Sequence, residues 1–197
     1  MVILKEEKLL QVVNHLQNGK VVVLPSETSY GLSCDATNQK AVDKIFKIKN
    51  REEAKSLLIV VPNIDEAKKY LEWNSSLDKL ANKYWPGSLT IVNSAKKSKL
   101  AKGVVSNQGT LAMRVCALPI LVEILELCQQ PLVSTSANIS GENPLYDHRE
   151  IIRVFKDRQY IPDAILDYGL LPFNKPSTIV NVVGNKLKIL RQGELVI

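Results

Sequence analysis

Pro131-Leu132-Val133-Ser134-Thr135-Ser136-Ala137-Asn138-Ile139-Ser140-Gly141 passes from a short apolar strand into hydroxyl and amide side chains and stops at a glycine. An interior strand does not normally end this way, because each small polar group needs a hydrogen-bond partner or costs about 1–3 kcal/mol. Serine and asparagine carry both donors and acceptors on short stems. At the carboxyl end of a strand in an open α/β sheet, that is where ligands bind. A turn that satisfies its own backbone is the other reading of the same run. Pro25-Ser26-Glu27-Thr28-Ser29-Tyr30-Gly31-Leu32 repeats the pattern after the apolar run Val21–Leu24. Two strands that end in polar clusters are harder to dismiss than one.

Outward from these two stretches, helical and extended periods alternate. Leu9, Val12, Val13 and Leu16 have helical spacing, and Gly19 stops that helix. Val21–Pro25 reads as a buried strand, followed by a helix over 38–48 and a strand over 57–61. Two helices are expected near 64–73 and 75–84, then strands over 89–92 and 110–115, a helix over 119–130 and a strand over 132–134. A helix from Arg149 to Phe155 precedes a last group of strands. Neither a compositional break nor an internal repeat interrupts the order, so residues 1–197 are expected to form one α/β domain. The long segments without clear structure, about 93–109 and 139–148, have the length of functional loops.

Composition removes several classes of function. Hydrophobic residues make up 45% and charged residues 23% of the 197, ordinary values for a soluble domain. No apolar run reaches the roughly 18 residues of a membrane span, and Met1-Val2-Ile3-Leu4-Lys5-Glu6-Glu7 turns acidic too early for a signal peptide. Cys34, Cys116 and Cys128 are dispersed, which argues against a disulfide framework and a structural zinc, so the cytoplasm is the expected compartment. The net charge of +6 suits a nucleotide or nucleic-acid partner, although Lys96, Lys97, Lys99 and Lys102 read as one solvated loop. Neither a P-loop nor a Gly-x-Gly-x-x-Gly fingerprint is present. With only His15 and His148, a histidine triad or zinc hydrolase is not expected. Chemistry here is expected to rest on cations, hydroxyls and backbone groups.

Three further elements carry candidate residues. In the 38–48 helix, Ala41, Val42, Ile45 and Phe46 make the apolar face, with Lys40, Lys44, Lys47 and Arg51 opposite. Lys49 would project into the apolar face, where an unpaired ammonium is expensive. Either the helix ends before it, as Asn50 suggests, or the side chain reaches an anionic ligand or snorkels to water. In strand 110–115, Leu111, Met113 and Val115 alternate with Thr110, Ala112 and Arg114. An arginine there needs a carboxylate or phosphate, from a ligand or from an internal salt bridge. Ser177–Val183 and Lys186–Arg191 flank Gly184-Asn185, a two-residue hairpin signal. That register sets Thr178 opposite Arg191, with Ser177 one step away, a hydroxyl and a guanidinium suited to an anion or to an ordinary sheet edge.

Taken in order, the pieces resemble the YrdC-like family, the threonylcarbamoyl-adenylate synthases of the TsaC type. That family carries a Pro-Thr-Glu-Thr-x-Tyr-Gly-Leu loop, Lys-x-Arg, Trp-Pro-Gly, an Arg-Val strand, Ser-x-Asn and a final Ser-Thr…Arg-x-Gly hairpin. This chain has Pro25–Leu32, Lys49-Asn50-Arg51, Trp85-Pro86-Gly87, Arg114-Val115, Ser136-Ala137-Asn138, and Pro176-Ser177-Thr178 with Arg191-Gln192-Gly193. Six motifs in the right order, covering nearly the whole chain, make the resemblance specific. It implies an open, twisted, mixed sheet flanked by helices around a basic concave pocket. It also implies conversion of L-threonine, bicarbonate and ATP to threonylcarbamoyl-AMP and pyrophosphate, for N6-threonylcarbamoyladenosine in tRNA. By that analogy Lys49, Arg51, Ser136 and Asn138 are catalytic, and Thr28, Arg114, Ser136 and Ser177 hold threonine. Arg51, Lys55, Thr110, Asn138, Tyr146 and Arg191 would surround ATP, with Mg²⁺ on the triphosphate and no metal site of the protein's own. This is the short form, so transfer onto tRNA would fall to a separate threonylcarbamoyl-transferase complex.

Departures from the family pattern cluster beside the expected phosphate site. Glu52 and Ser56 stand where prolines are usual, Glu53 adds a second acid, and Arg114-Val115-Cys116-Ala117-Leu118-Pro119 replaces Arg-Val-Pro-Asp-His-Pro. Two other readings remain. One is an RNA-binding module without chemistry, gripping tRNA or double-stranded RNA by its basic face. The other is a relative acting on a different carbamoyl-type acyl-adenylate. The mixed hydroxyl and amide residues Ser136 and Asn138 favour catalysis, because phosphate-backbone binding needs no such pocket.

Overall fold

The computed structural model of the chain describes residues 1–183 and 186–197; the expected Gly184-Asn185 turn lies outside them. Its strands are β1 (Val2–Lys5), β2 (Val22–Leu24), β3 (Gly31–Asp35), β4 (Ile59–Val61), β5 (Leu89–Ser94), β6 (Thr110–Val115), β7 (Leu132–Ser136), β8 (Ala164–Asp167), β9 (Thr178–Val183) and β10 (Lys186–Arg191). Its α-helices are α1 (Leu9–Gln17), α2 (Gln39–Lys49), α3 (Ile64–Lys68), α4 (Ser75–Tyr84), α5 (Pro119–Cys128) and α6 (His148–Phe155). The strands form one mixed sheet in the order β1-β8-β2-β3-β7-β4-β6-β5-β9-β10. The α/β expectation holds.

The pleat sends alternate residues to opposite faces, and both faces are covered by apolar groups. Val21, Val23, Ile59, Val61, Leu111, Met113, Val115 and Ile165 join one core with residues of α2, α4 and α6. Val22, Leu24, Val60, Ala164 and Leu166 join another with Val12, Val13 and Leu16 of α1 and Leu121, Ile124 and Leu125 of α5. Val60 pairs with Leu132 and with Arg114, and Thr90 pairs with Ile179, which faces Arg191. Along this second face apolar packing therefore gives way to Arg114, Thr90 and Arg191. Here the site lies.

Several local expectations change. The helix expected over 64–73 ends at Lys68, and Leu71 instead bridges Ala95. Strand β7 runs on to Ser136, so the polar cluster begins inside the strand. A register shift between Ile189 and Arg191 puts Arg191 opposite Ile179 rather than Thr178. The 38–48 helix does not stop short of Lys49. Asn38 caps its start, its side chain accepting from the Ala41 amide at 3.2 Å. Asn50, at φ 49°, ends it one residue beyond Lys49. Asparagine tolerates that left-handed conformation better than most residues.

Candidate active site

The ends of β2 and β7, the residues after α2, and the Arg114–Arg191 row of the sheet enclose a cavity of about 500 Å³, within the range of small-molecule sites. Five cationic side chains, Lys49, Arg51, Lys55, Arg114 and Arg191, line it against two carboxylates, Glu52 and Glu142. Ser26, Thr28, Ser29, Thr90, Ser134, Thr135, Ser136, Ser140 and Ser177 add hydroxyls. Both readings of the polar strand ends hold together. The Ser26 hydroxyl donates to the Ser29 carbonyl at 2.6 Å and accepts from the Thr28 and Ser29 amides at 3.3 Å. That turn satisfies itself, and it still faces the cavity.

Lys49 is 2% exposed, and its ammonium is held by the chain's own carbonyl groups. Nζ donates to the Ser136 carbonyl at 2.5 Å, the Asn138 carbonyl at 3.0 Å and Asn138 Oδ1 at 2.8 Å. Three carbonyl acceptors in the turn after β7 thus hold the ammonium at the cavity wall. Burial, then repulsion by the Arg51 guanidinium, lower its pKa to about 7, while the three acceptors hold the proton. Ser136 Oγ donates to Asn138 Oδ1 at 2.6 Å, and Asn138 Nδ2 donates to the Glu142 carbonyl at 2.5 Å. Lys49 is therefore the post on which the Ser136–Asn138 turn is built, and it also lines the cavity.

The other cations are held more loosely or incompletely. Arg51 donates to the carbonyls of Lys55 at 2.8 Å and Ser56 at 3.0 Å, curling its own loop around it. Lys55 pairs with Glu52 at 3.1 Å on the exposed side of that loop. Arg114, 3% exposed, stands 3.6 Å from Glu27 through Nε, and neither Arg114 Nε nor Glu27 Oε1 has a hydrogen-bond partner. The internal salt bridge is present, but it leaves the buried guanidinium short of acceptors, which a carboxylate in the cavity would supply. Arg191 donates through NH2 to the Ser177 carbonyl at 2.8 Å and hydroxyl at 3.1 Å. Burial and then Arg114 lower its pKa, so the two guanidinium groups share one electrostatic environment. Cys116 lies 3.6 Å from Glu27 Oε2. Burial and then Glu27 push its thiol up to about 12, leaving it protonated and inert.

Of the sequence-derived candidates, Thr28, Lys49, Arg51, Lys55, Arg114, Ser136, Asn138, Tyr146, Ser177 and Arg191 meet in this cavity. Thr110 does not line it: its hydroxyl bonds Ser106 Oγ at 2.7 Å at the far start of β6. Sequence reasoning missed Thr90, whose hydroxyl lies 2.8 Å from that of Ser177. The signal was there, a lone polar residue in Leu89-Thr90-Ile91-Val92. It also missed Glu27 as the partner of Arg114, and Asn174, whose side chain donates to the Glu27 carbonyl at 2.9 Å. No group of three or more His, Cys, Asp or Glu suited to a metal occurs among the described residues, nor does a helix long and apolar enough to cross a membrane.

An α/β sheet whose strand ends and one open face build a cation- and hydroxyl-lined cavity is the frame of a small-molecule enzyme. The Sua5/YciO/YrdC family model, described as telomere recombination, matches residues 14–193. A protein of Methanocaldococcus jannaschii is 36% identical over 196 residues, 96% of this chain and 89% of that one. The threonylcarbamoyl-AMP synthase of Wigglesworthia glossinidia brevipalpis is 32% identical over 193 residues, 96% of each chain. The crystal structure of P. abyssi Sua5 complexed with L-threonine superposes with a TM-score of 0.90 at 26% identity, over 98% of this chain. The chain spans 58% of that Sua5 protein. The chain belongs to the Sua5/YciO/YrdC family.

Proposed function

We propose that this protein is a threonylcarbamoyl-AMP synthase, joining L-threonine, bicarbonate and ATP into threonylcarbamoyl-AMP with release of pyrophosphate. The observation that carries this reading is one cavity holding a buried, under-satisfied guanidinium at Arg114 beside four further cations and the Ser136–Asn138 turn. Relatives named for this activity and a Sua5 bound to L-threonine support it. The threonine carboxylate would take the free donors of Arg114, with the hydroxyls of Thr28, Ser136 and Ser177 around the amino acid. Bicarbonate and the threonine amine would give an N-carboxylated threonine with loss of water. Its carboxylate oxygen then forms a bond to the α-phosphorus as the bond from that phosphorus to the pyrophosphate oxygen breaks. This displacement needs alignment and charge neutralisation rather than a strong base. Arg51, Lys55 and Arg191 would meet the phosphates, while Lys49 fixes Ser136 and Asn138.

Mg²⁺ coordinates readily through phosphates and water with one or two carboxylates, so the nucleotide can bring it without a protein cage. When bound, it would neutralise triphosphate charge; Glu52 and Glu142 are the cavity's only carboxylates among the described residues. The acyl-adenylate would then pass to a separate complex acting on tRNA. The enclosed, mixed hydroxyl and amide lining favours this reading over RNA binding, which needs an open, phosphate-tracking face. The test is pyrophosphate release that requires both threonine and bicarbonate. Tight RNA binding without threonine binding or pyrophosphate release would reverse the choice.

A further inference from the structure

We infer that Phe173, together with Tyr146, forms an aromatic platform for the purine base of the nucleotide at the mouth of the cavity, an assignment that rests on the adenylate-forming reading above. Phe173 leaves 83% of its surface in water. A single exposed apolar residue is ordinary, but this one sits on a braced segment. The Leu171 amide donates to the Tyr146 carbonyl at 2.9 Å, and the Tyr146 hydroxyl donates to the Asn174 carbonyl at 3.0 Å. Asn174 reaches the Glu27 carbonyl, and the Lys175 amide donates to Glu194 at 3.1 Å. The ring is therefore held out in solvent by its neighbours' hydrogen bonds, without contributing to the core.

Tyr146, Asn174 and Pro176 all line the cavity, and the Phe173 and Tyr146 ring centroids are 4.9 Å apart with planes tilted by 43°. That arrangement leaves ring surface free beside the wall. The cations of the cavity suit phosphates and say nothing about a base. Tyr30, the other aromatic residue of the lining, is fully buried, its hydroxyl committed to the Gly169 carbonyl at 2.8 Å and the Tyr168 amide at 3.0 Å. Base recognition by stacking thus falls to Tyr146 and Phe173, since a flat π-face binds a purine largely without regard to its hydrogen-bonding edge.

The test compares ATP with inorganic tripolyphosphate, which has the phosphates and no base, by calorimetry on the wild type, Phe173→Ala and Phe173→Trp. Phe173→Ala is expected to weaken ATP binding about tenfold and leave tripolyphosphate binding and the thermal midpoint unchanged. Phe173→Trp should restore ATP binding. In steady state the KM for ATP should rise while the KM for threonine holds. Wild-type ATP affinity in Phe173→Ala, or an equal loss for tripolyphosphate, overturns the platform while leaving the adenylate reading intact. A wild-type protein that binds no ATP overturns both.

Discussion

Replacing Lys49 by methionine keeps the aliphatic length of the side chain and removes the ammonium that three carbonyl groups share. One of those acceptors, the Asn138 carbonyl, loses its donor outright, whereas the Ser136 carbonyl keeps the Asn138 amide at 2.9 Å and Asn138 Oδ1 keeps the Ser136 hydroxyl. A buried acceptor left without its donor costs about 1–3 kcal/mol. Relief of the ammonium's burial and of its repulsion by Arg51 offsets part of that loss. We therefore expect Lys49→Met to destabilise the ligand-free protein by about 1–3 kcal/mol, roughly 2–10 °C in midpoint for a chain of this size. Turnover should fall much further, because the Ser136–Asn138 turn loses its anchor and the cavity a cation. Thermal denaturation of the ligand-free protein and steady-state pyrophosphate release measure the two effects. An unchanged midpoint together with wild-type turnover would refute the anchoring role.

Lys49 also predicts a pH effect. Its folded pKa near 7 lies below its ordinary 10.5, so between those values the unfolded chain binds more protons and stability rises with pH. Lys49→Met should flatten that rise; urea denaturation at pH 6.5, 8 and 9.5 checks it, and identical slopes would contradict it. Arg191→Ala should weaken ATP binding with little change in midpoint, since Arg191 sits at the end of the exposed strand β10 and its donors go to Ser177 among the described residues; unchanged affinity by calorimetry would leave it an edge residue. Gly193→Ala should lower both midpoint and ATP affinity, because a Cβ there would sit 2.1 Å from the Pro176 carbonyl oxygen and displace the backbone beside Ser177; a crystal structure with Ser177 unmoved would refute this. Glu52→Gln should tighten ATP binding a few-fold by freeing Lys55, and weaker binding would count against Glu52 as a competing counterion.

Elements with strong periodicity were legible. Val12, Val13 and Leu16 are buried on α1, and the alternation of β6 puts Leu111, Met113 and Val115 in the core with Arg114 on the cavity side. Strand β3 was not separated from the polar loop before it. Gly31-Leu32-Ser33-Cys34-Asp35 has no β-branched residue, and pairing with β2 and β7 makes it a strand. Edge strand β1 forms by parallel pairing with β8, far along the chain, a partner that its four residues do not reveal. Lys49, Arg114, Arg191 and the two polar strand ends stood out by residue type, because buried cations and clustered hydroxyls are costly without a purpose, and they line the cavity. Lys55 and Tyr146 came only from the family resemblance. Their partners were hidden. Lys49 binds main-chain carbonyls nearly ninety residues away, and main-chain groups leave no trace in side-chain pattern. The bulge before Arg191 is likewise a property of the pairing rather than of the residues.

The proposed reaction leaves a product of defined mass, which mass spectrometry detects. The protein is mixed with ATP, L-threonine and ¹³C-bicarbonate, quenched early, and the acyl-adenylate is sought by mass. A threonylcarbamoyl-AMP ion carrying one heavy carbon is expected, absent when threonine or bicarbonate is omitted, with pyrophosphate in equal amount. ATP left intact by folded protein, or an adenylate that forms without the heavy carbon, would contradict the proposed reaction.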